Sequence, residues 1–428
     1  MRALLLGSGG RESALAWGLA RSKVIGEIVA APGNPGIGEV AELVDLDPEN
    51  STAVVDLTAR VSPHVVVIGP EAPLVAGVGD ALRARGLAVF GPDAAAARIE
   101  GSKSYAKKLM DAAGIPTARW RACSTVKDAT SFMDELGPPY VVKADGLAAG
   151  KGVVVTSDRA EAVVAIEERV VGGRFGGAGA TVVIEEYLDG EEASLIAFAD
   201  GHNLVACEPA QDYKRVLDDD RGPNTGGMGS YSPVPSCPPS LADLITDEIL
   251  KPMVEATAAV GAPFSGALYA GLALTSRGPR VVEFNCRLGD PEAQALIPRL
   301  ESDLGEVCVA SARGELEGTK LEWSPDACVC IVLASDGYPG SYETGRPIEG
   351  LEEAAAIDGV EIFHAGTERR GDALVTAGGR VLSVSARGSD FKQARARGYR
   401  AAETIRFEGV RFRRDIGRRA EEREEART

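Results

Sequence analysis

The sequence has little histidine and no paired cysteine spacing. Of its 428 residues three are His and seven are Cys, and the closest pair, Cys328 and Cys330, is C-x-C. A zinc site needs several Cys or His at close spacing, and a disulfide framework needs paired Cys. Neither is therefore predicted, and we expect a reducing, cytoplasmic location.

Positive charge is also scarce, since the formal net charge is −17. Such a surface repels nucleic acid and anionic membranes, so neither is an expected partner. No segment has the pattern of a signal peptide, and no apolar run is long enough to span a bilayer. If the substrates are phosphates, local cations must bind them against the overall field.

Glycine is abundant, and the first glycine cluster follows a strand. Arg2–Leu6 is apolar and leads through Gly7–Glu12 into a helical pattern, which is the opening of a doubly wound α/β unit. The helix N-terminus is a ready anion site. Because the spacing is not G-x-G-x-x-G, a phosphate pocket is favoured over a dinucleotide. A second buried strand, Val65–Ile68, ends at the loop Gly69–Leu74, where Glu71 can meet a ligand or simply begin a helix.

Lysines flank a small-residue loop further along the chain. Lys143 ends a strand, and Lys151 follows the run 144–150 just before the next strand, Val153–Val155. Two strands around such a loop predict a flexible phosphate cover, because glycine permits close backbone approach. It is not a Walker A loop. Lys103 opens a helix after Gly101–Ser102 and can lie near a phosphate, or can be a surface cation.

Two later segments are candidate ligand loops. The strand Thr181–Ile184 runs into Glu185–Glu192, whose backbone can hold an adenine edge and whose carboxylates can hold ribose hydroxyls. The alternative is an ordinary acidic turn. Gly222–Tyr231 can form an anion nest from consecutive N–H groups. Asn224 and Thr225 within it favour a site over a plain flexible loop.

The most informative stretch is Val281–Glu292. On a strand, Glu283, Asn285 and Arg287 share one face, with apolar residues behind. Carboxylate and amide oxygens suit Mg²⁺, and Arg suits phosphate or carboxylate oxygens. This row predicts a magnesium–phosphate platform; the alternative is an amphipathic edge strand with a solvated charged face.

These patterns predict a multidomain protein of the α/β and α+β classes. An N-terminal domain at 1–102 holds a doubly wound parallel sheet, a core domain spans 103–314, and a small α+β domain spans 325–428. Single helices are predicted over Leu241–Val260 and Ala293–Ala312. The charge-dense tail Arg411–Thr428 is expected to be a frayed or solvated helix end.

Together the motifs resemble the ATP-grasp ligases, and within them the phosphoribosylamine–glycine ligases of purine synthesis. The resemblance covers nearly the whole chain and is carried by GSGGRE at 7–12, GPEAPL at 69–74, GSK at 101–103, KADGLAAGKG at 143–152, EEYLDGEE at 185–192, GPNTGGMGSY at 222–231 and EFNCRLGDPE at 283–292. It implies a pre-ATP-grasp N-terminal domain and an ATP-grasp core of two α+β subdomains, one mobile at about 122–190. Ser13 and Tyr213 stand where the family usually has His, which leaves substrate contacts there open.

The resemblance implies a set of site residues. Cofactor-binding residues are Lys103, Lys143, Lys151, Glu185, Glu186, Leu188 and Glu192. Metal ligands are Glu283 and Asn285. Catalytic residues are Arg287, Lys214, Asp290 and Asn224. Substrate-binding residues are Gly9, Gly10, Glu12, Glu71, Asp212, Thr225 and Gly226.

The implied reaction joins glycine to phosphoribosylamine, with ATP and Mg²⁺ or Mn²⁺, through a glycyl phosphate. Partners are these small molecules, and the chain is expected to be a monomer or weak homodimer. Two alternatives remain within the fold: a different acyl acceptor, or an inactive nucleotide-binding relative. A nucleotide-binding oxidoreductase is suggested only by the N-terminal strand–glycine–helix unit.

Overall fold

The structure is a computed structural model that describes residues 1–147, 152–170 and 181–426. The predictions for Lys151 and for a glycine-rich surface loop at 172–179 lie outside these ranges. Within them, no helix combines the length and the apolar character needed to cross a bilayer.

The N-terminal region is a five-stranded parallel sheet with strand order β3-β2-β1-β4-β5. Its inner strands are runs of aliphatic residues buried on both faces, as parallel sheets require. The strands are β1 Arg2–Gly7, β2 Glu27–Pro32, β3 Glu42–Leu43, β4 Val65–Ile68 and β5 Val89–Phe90. The helices are α1 Gly10–Ala20, α2 Ser51–Val61, α3 Glu71–Val75, α4 Val78–Arg83 and α5 Ala94–Gly101.

The next region carries an antiparallel sheet with its own small core. Its strand order is β6-β9-β7-β8, and two helices cover it. The elements are α6 Lys103–Ala113, β6 Trp120–Cys123, α7 Val126–Leu136, β7 Tyr140–Ala144, β8 Val153–Thr156, α8 Arg159–Val170 and β9 Val182–Glu185. Because α7 and α8 pack with this sheet in a separate apolar cluster, the unit has a core of its own.

A central antiparallel sheet of order β11-β10-β16-β17 carries the predicted platform on its last strand. The hairpin of β16 and β17 pairs Tyr269 with Asn285 and Gly271 with Glu283, as the sequence predicts. The elements are β10 Glu191–Asp200, β11 Leu204–Ala206, β12 Gln211–Asp212, β13 Arg215–Leu217, β14 Arg221–Asn224, β15 Gly229–Ser232, α9 Pro239–Ile245, α10 Lys251–Ala259, β16 Ser265–Thr275 and β17 Gly278–Asn285.

The C-terminal sheet takes in strands from the middle of the chain. Its order is β12-β15-β18-β22-β19, so Gln211–Asp212 and Gly229–Ser232 complete a sheet built mainly after residue 326. The elements are α11 Glu292–Leu296, α12 Leu304–Arg313, β18 Ala327–Ser335, α13 Leu351–Ala355, β19 Val360–His364, β20 Thr367–Arg370, β21 Ala373–Thr376, β22 Arg380–Gly388, α14 Phe391–Thr404, β23 Val410–Arg411 and α15 Arg418–Glu425. Candidate site residues at 212–227 are thereby tied to the C-terminal fold.

Of the two long helices predicted from the sequence, one forms with an irregular turn and the other is interrupted. The helix predicted over Leu241–Val260 is helical through residue 259, but α9 and α10 are joined by a π-helical turn at 246–250, because Pro252 lacks an N–H and crowds the preceding turn. The predicted helix Ala293–Ala312 is split by a short 3₁₀ turn that contains Pro298. A new helix then begins at Asp303, whose carboxylate accepts from the N–H groups of Gly305 and Glu306 at 2.9 and 3.1 Å.

The prediction of a frayed or solvated tail is wrong for the first part of the segment, whereas most described residues of α15 are exposed, as expected of a solvated helix end. Arg413 is 1% exposed, and Ile416 and Ala420 are fully buried. The high charge density hides this packing from a sequence pattern, because the charges are used in ion pairs with an acidic loop distant in sequence.

The N-terminal and central sheets meet where two glycines touch. Gly266 has φ of +109°, and a Cβ built there would lie 2.8 Å from the Cα of Gly91. Gly278 has a similar φ of +92°, but a Cβ there would meet nothing within 4 Å. Both positions require a left-handed backbone, and only Gly266 also requires the space.

We therefore predict that Gly266→Ala lowers the melting temperature more than Gly278→Ala. The control should lose about 1–2 kcal/mol from the unfavourable φ alone. Gly266→Ala should lose that and more, because the two backbones must separate. Thermal unfolding followed by circular dichroism measures both, and equal losses would contradict the close contact.

Candidate active site

Three buried charged side chains lie at the end of the sheet β6-β9-β7-β8. One oxygen of Glu185 accepts from Lys107 and from Lys143, each at 3.0 Å, and all three side chains are at most 4% exposed. Lys143 also donates to the carbonyl of Val282, on the platform strand, at 3.0 Å. Burial alone would raise the pKa of Glu185, but Lys107 and Lys143 outweigh it and hold that pKa below its ordinary value. The other oxygen of Glu185 has no hydrogen-bond partner.

Lys103 lies close to the same place from a different element. It is the first residue of α6, after the N-cap Ser102, and its ammonium donates to the carbonyl of Gly146 at 3.0 Å. Burial lowers its pKa, and Lys143 lowers it further, although Glu283 and Asp145 oppose this. Two lysines thus converge beside the platform strand.

Glu283 and Asn285 lie on one face of β17, two residues apart, as the sequence predicts. Burial alone would raise the pKa of Glu283, but Lys214, Lys143 and Lys103 outweigh it and hold that pKa below its ordinary value. Glu283 is therefore an ionised carboxylate amid cations from three other segments of the chain. Asn285 is buried and pairs with Tyr269 across the sheet.

The donor set of Glu283 and Asn285 fits a magnesium ion. Both offer hard oxygen ligands, and Mg²⁺ is usually held by one or two protein groups with phosphates and waters completing its shell. Among the residues that the structure describes, no group of three His, Cys, Asp or Glu side chains could hold a metal ion.

Arg287 follows the end of β17 and is held between two acids. Its guanidinium lies 2.9 Å from Glu100 and 3.2 Å from Glu71. Glu100 also accepts from the N–H of Cys286 at 2.7 Å, so it fixes the backbone as well. Burial would raise the pKa of Glu71, but Arg287 and Arg11 together keep it lowered. Arg287 is thus fixed across the gap between the N-terminal domain and the platform strand.

The start of α1 packs against Asp290 without room for side chains. A Cβ at Gly9 would lie 2.7 Å from Glu12 and 3.4 Å from Asp290, and one at Gly10 would lie 2.6 Å from Gln294. Asp290 accepts from Gln294 at 2.7 Å and lies 3.3 Å from Arg380. Burial would raise its pKa, but Arg380 and Arg11 keep it lowered.

The Glu12 side chain stabilises the local structure, because it is 2% exposed and both its carboxylate oxygens have partners within the protein. It accepts from the N–H of Gly9 at 2.6 Å and pairs with Arg11 at 2.5 Å. It therefore shapes the glycine loop from within.

The second glycine loop is tied to the C-terminal domain. Arg380 donates to the carbonyls of Gly226 and Asp290 at 2.8 and 2.7 Å, and the N–H of Gly226 donates to the hydroxyl of Tyr338 at 3.0 Å. Thr225 is buried and donates to the carbonyl of Lys214 through its N–H and its hydroxyl. Asn224 ends β14 beside these contacts.

Asp212, Lys214 and Glu192 form a charged group opposite Glu283. Lys214 donates to Glu192 at 2.6 Å. Burial would lower the pKa of Lys214, but Glu192 and Asp212 raise it well above its ordinary value. The pKa of Asp212 is raised to about 7 by burial and by Glu292 and Glu192, although Lys214 opposes this.

Other predicted residues have contacts of their own. Glu186 binds the N–H of Arg119 at 3.1 Å and the guanidinium of Arg277, and Leu188 is half-buried in the following turn. Ser13 accepts from the N–H of His364 at 3.2 Å, and Tyr213 accepts from the N–H of Gly417 at 2.9 Å. Ser13 and Tyr213, the two residues that differ from the usual family pattern, therefore contact the C-terminal region.

Sequence reasoning missed several groups that complete this region: Arg11, Glu100, Lys107, Glu292, Gln294 and Arg380. Glu292 and Arg11 lie inside the quoted motifs, so the motifs themselves were a signal. Lys107 lies one helical turn after Lys103 on α6, which places the two on one face. Glu100 and Arg380 had no local signal, because their partners are distant in sequence.

The raised pKa of Asp212 makes stability depend on pH. The unfolded pKa is about 3.9, so the contribution of Asp212 is fully present near pH 4 and is lost as pH rises through 7. We predict that Asp212→Asn, which cannot ionise, removes this loss. The melting-temperature difference between variant and wild type, both free of ligands, should move in favour of the variant between pH 5 and pH 8. Parallel curves would contradict the raised pKa.

Models of one family match the chain in three successive blocks. The N domain of phosphoribosylglycinamide synthetase matches residues 1–100, its ATP-grasp (A) domain matches 101–293, and its C domain matches 328–419. Curated phosphoribosylamine–glycine ligases of Rhizobium meliloti (strain 1021) and Streptomyces coelicolor are each 50% identical to the chain. The first alignment covers 100% of both chains, and the second covers 98% of this chain and 99% of the relative.

Solved structures show the same likeness. A phosphoribosylamine–glycine ligase from Thermotoga maritima superposes with a TM-score of 0.85 at 36% identity, covering 97% of this chain and 100% of that one. The biotin carboxylase domain of Hydrogenobacter thermophilus 2-oxoglutarate carboxylase, solved with MgADP and bicarbonate, has a TM-score of 0.73 at 16% identity over 96% of this chain and 91% of that one. The latter shows a shared fold alone.

Proposed function

This chain belongs to the phosphoribosylglycinamide synthetase family, and we propose that the residues described above together carry out one reaction. The reaction is the ATP-dependent ligation of glycine to phosphoribosylamine. Full-length identity of 50% to ligases of that name identifies the activity, which forms glycinamide ribonucleotide, ADP and phosphate. The predicted fold class and ligase function are confirmed, and the oxidoreductase alternative is wrong.

Glycine needs activation, because its carboxylate has no good leaving group at neutral pH. A carboxylate oxygen attacks the γ-phosphorus of ATP, the bond to the β–γ bridging oxygen breaks, and ADP leaves with that electron pair. The amine of phosphoribosylamine then attacks the glycyl carbonyl, phosphate leaves, and the amine loses a proton. Catalysis of such transfers comes mostly from positioning and from cations around the γ-phosphoryl oxygens.

For the nucleotide, Lys103 and Lys143 would bind the phosphates, and Lys151 remains a prediction for the same role. The backbone at 185–188 would hold the adenine, and Glu192 the ribose. The support for this assignment is the convergence of the buried Lys143 and the half-buried Lys103 beside the platform strand. Glu185 would fix Lys143 and, with Lys107, keep it aimed at that strand.

Glu283 and Asn285 would hold Mg²⁺ or Mn²⁺. The observation that carries this proposal is the shared face of Glu283 and Asn285 on β17, beside Lys143, whose ammonium donates to the carbonyl of Val282 on the same strand at 3.0 Å. Lys214, Lys143 and Lys103 also hold the pKa of Glu283 below its ordinary value. When bound, the ion would neutralise charge on the phosphoryl oxygens. The protein contributes a carboxylate kept deprotonated by its neighbours, so the ligand is ready at neutral pH.

Arg287, Lys214, Asp290 and Asn224 would surround glycine and the reacting phosphate. Arg287 is pre-positioned by Glu71 and Glu100, so little side-chain freedom is lost when an anion binds beside it. Around them, the proposed contacts of phosphoribosylamine and glycine are Gly9, Gly10, Glu12, Glu71, Asp212, Thr225 and Gly226. Glu12 would act through the loop that it shapes.

The proposed division into domains is 1–102, 103–314 with a mobile part at about 122–190, and 325–428. The enzyme would work in the cytoplasm as a monomer or weak homodimer, without nucleic acid or membrane partners. The acidic net charge supports the last point.

The reaction order is tested with glycine labelled with ¹⁸O in its carboxylate. If the carboxylate attacks ATP, one labelled oxygen must appear in inorganic phosphate for each product formed, as measured by mass spectrometry. ADP should form only when both glycine and phosphoribosylamine are present. Unlabelled phosphate would contradict the glycyl phosphate step, and ADP release without the amine would contradict the requirement for both substrates.

A further inference from the structure

We propose that the C-terminal segment 411–425, called the C-terminal clamp below, positions the proposed site residues Lys214 and Asn224, with Arg413 as its central positioning residue. The clamp acts on the residues 213–225, called the site hairpin below. This inference rests on the function proposed above for Lys214 and Asn224.

The base of the site hairpin joins the two site residues directly. The N–H and the hydroxyl of Thr225 donate to the carbonyl of Lys214 at 2.7 and 2.9 Å. Arg215 pairs with Asn224 across the two strands. Any rotation of the hairpin therefore moves Lys214 and Asn224 together.

The site hairpin has little to hold it in place by itself. Its strands have three and four residues, and Leu217 is 49% exposed. Its tip is the run Asp218–Asp220, where Asp219 and Asp220 have φ of +58° and +52°. A left-handed conformation is less favourable for these residues than for glycine, and the adjacent carboxylates repel. The hairpin needs outside contacts to stay in this form.

Arg413 supplies the central contact, although it is 1% exposed. It donates to both oxygens of Asp415 at 2.8 and 2.6 Å, to the carbonyl of Arg215 at 2.9 Å and to Asp220 at 3.0 Å. Its guanidinium also lies 4.7 Å from the ring centroid of Tyr213. A charge buried this deeply is tolerated only with such partners, so the hairpin and Arg413 fix each other.

The remaining contacts reach every acid of the hairpin tip. They are the N–H of Arg414 to Asp218 at 2.8 Å, the N–H of Asp219 to Asp415 at 2.9 Å, Arg418 to Asp219 at 2.6 Å and Arg419 to Asp220 at 2.7 Å. The clamp therefore neutralises the tip and holds its strained backbone.

The clamp also fixes which way the site side chains point. Tyr213 lies between Asp212 and Lys214, and its hydroxyl accepts from the N–H of Gly417. Along extended backbone, neighbouring side chains point to opposite sides. With Tyr213 held in the clamp, Lys214 is turned the other way, where it meets Glu192. Tyr213 is thus part of the positioning device.

The test compares Arg413→Ala with Arg414→Ala in the full-length enzyme. Both remove one arginine from the clamp, but among the described residues the Arg414 side chain pairs with the exposed Glu403 alone and reaches over Phe412. Arg413→Ala should lower kcat on the order of 10–100-fold, because a misplaced catalytic group loses that much. KM for ATP should change little, since Lys103 and Lys143 lie on other elements. Arg414→Ala should match wild type; equal kcat in Arg413→Ala and wild type would overturn the proposal.

A double-variant cycle separates positioning from general stability. In the Lys214→Ala background, Arg413→Ala should lower kcat by a smaller factor than it does in wild type, because the part of its effect that acts through Lys214 is already lost. Multiplying losses would overturn the clamp. A normal rate in Lys214→Ala would instead overturn the proposed role of Lys214, so the two failures are distinguishable.

A milder variant covers the case in which Arg413→Ala does not fold. Arg418→Ala with Arg419→Ala removes two half-exposed partners of the tip. The rate of amide hydrogen exchange should then rise within 213–225 and stay unchanged at the start of α6. The value of kcat should fall, as in Arg413→Ala. Unchanged exchange together with unchanged kcat would overturn the proposal.

Discussion

The site depends on one electrostatic arrangement, an ionised carboxylate at Glu283 surrounded by cations. Lys214, Lys143, Lys103 and Arg287 all lower its pKa against the effect of burial. Each of these lysines lies near at least one carboxylate, so none of them is buried without a partner of opposite charge. In a chain with a net charge of −17, these clustered cations are what can attract the phosphates of a nucleotide.

The cations come from four segments that meet only in the folded chain. Lys103 begins a helix, Lys143 ends a strand of the second sheet, and Lys214 belongs to a hairpin whose flanking strands join the C-terminal sheet. Arg287 reaches the N-terminal domain through Glu71 and Glu100. The proposed site therefore draws its residues from several parts of the folded chain.

Local patterns predicted the parts of the site that depend on local geometry. Alternation along β17 placed Glu283 and Asn285 on one face, and buried aliphatic runs predicted the parallel sheet. Ion pairs between residues that are distant in sequence, such as Arg380 and Asp290, could not be predicted from a local pattern. The prediction of a solvated tail did not anticipate the burial of Arg413 for the same reason. Arg413 is charged, and its contacts with Asp220 and Asp415 explain why it is buried. The prolines at 252 and 298 indicated the π-helical turn and the helix break that the structure shows, but the prediction followed the period of the apolar residues instead.

The most direct measurement is the effect of magnesium on the binding of a non-hydrolysable ATP analogue, by titration calorimetry with and without the ion. Wild type should bind the analogue more tightly with magnesium present. Glu283→Gln keeps the size of the side chain but removes its charge, so its affinity should be the same with and without magnesium. A full magnesium effect in Glu283→Gln would contradict the central role of this carboxylate.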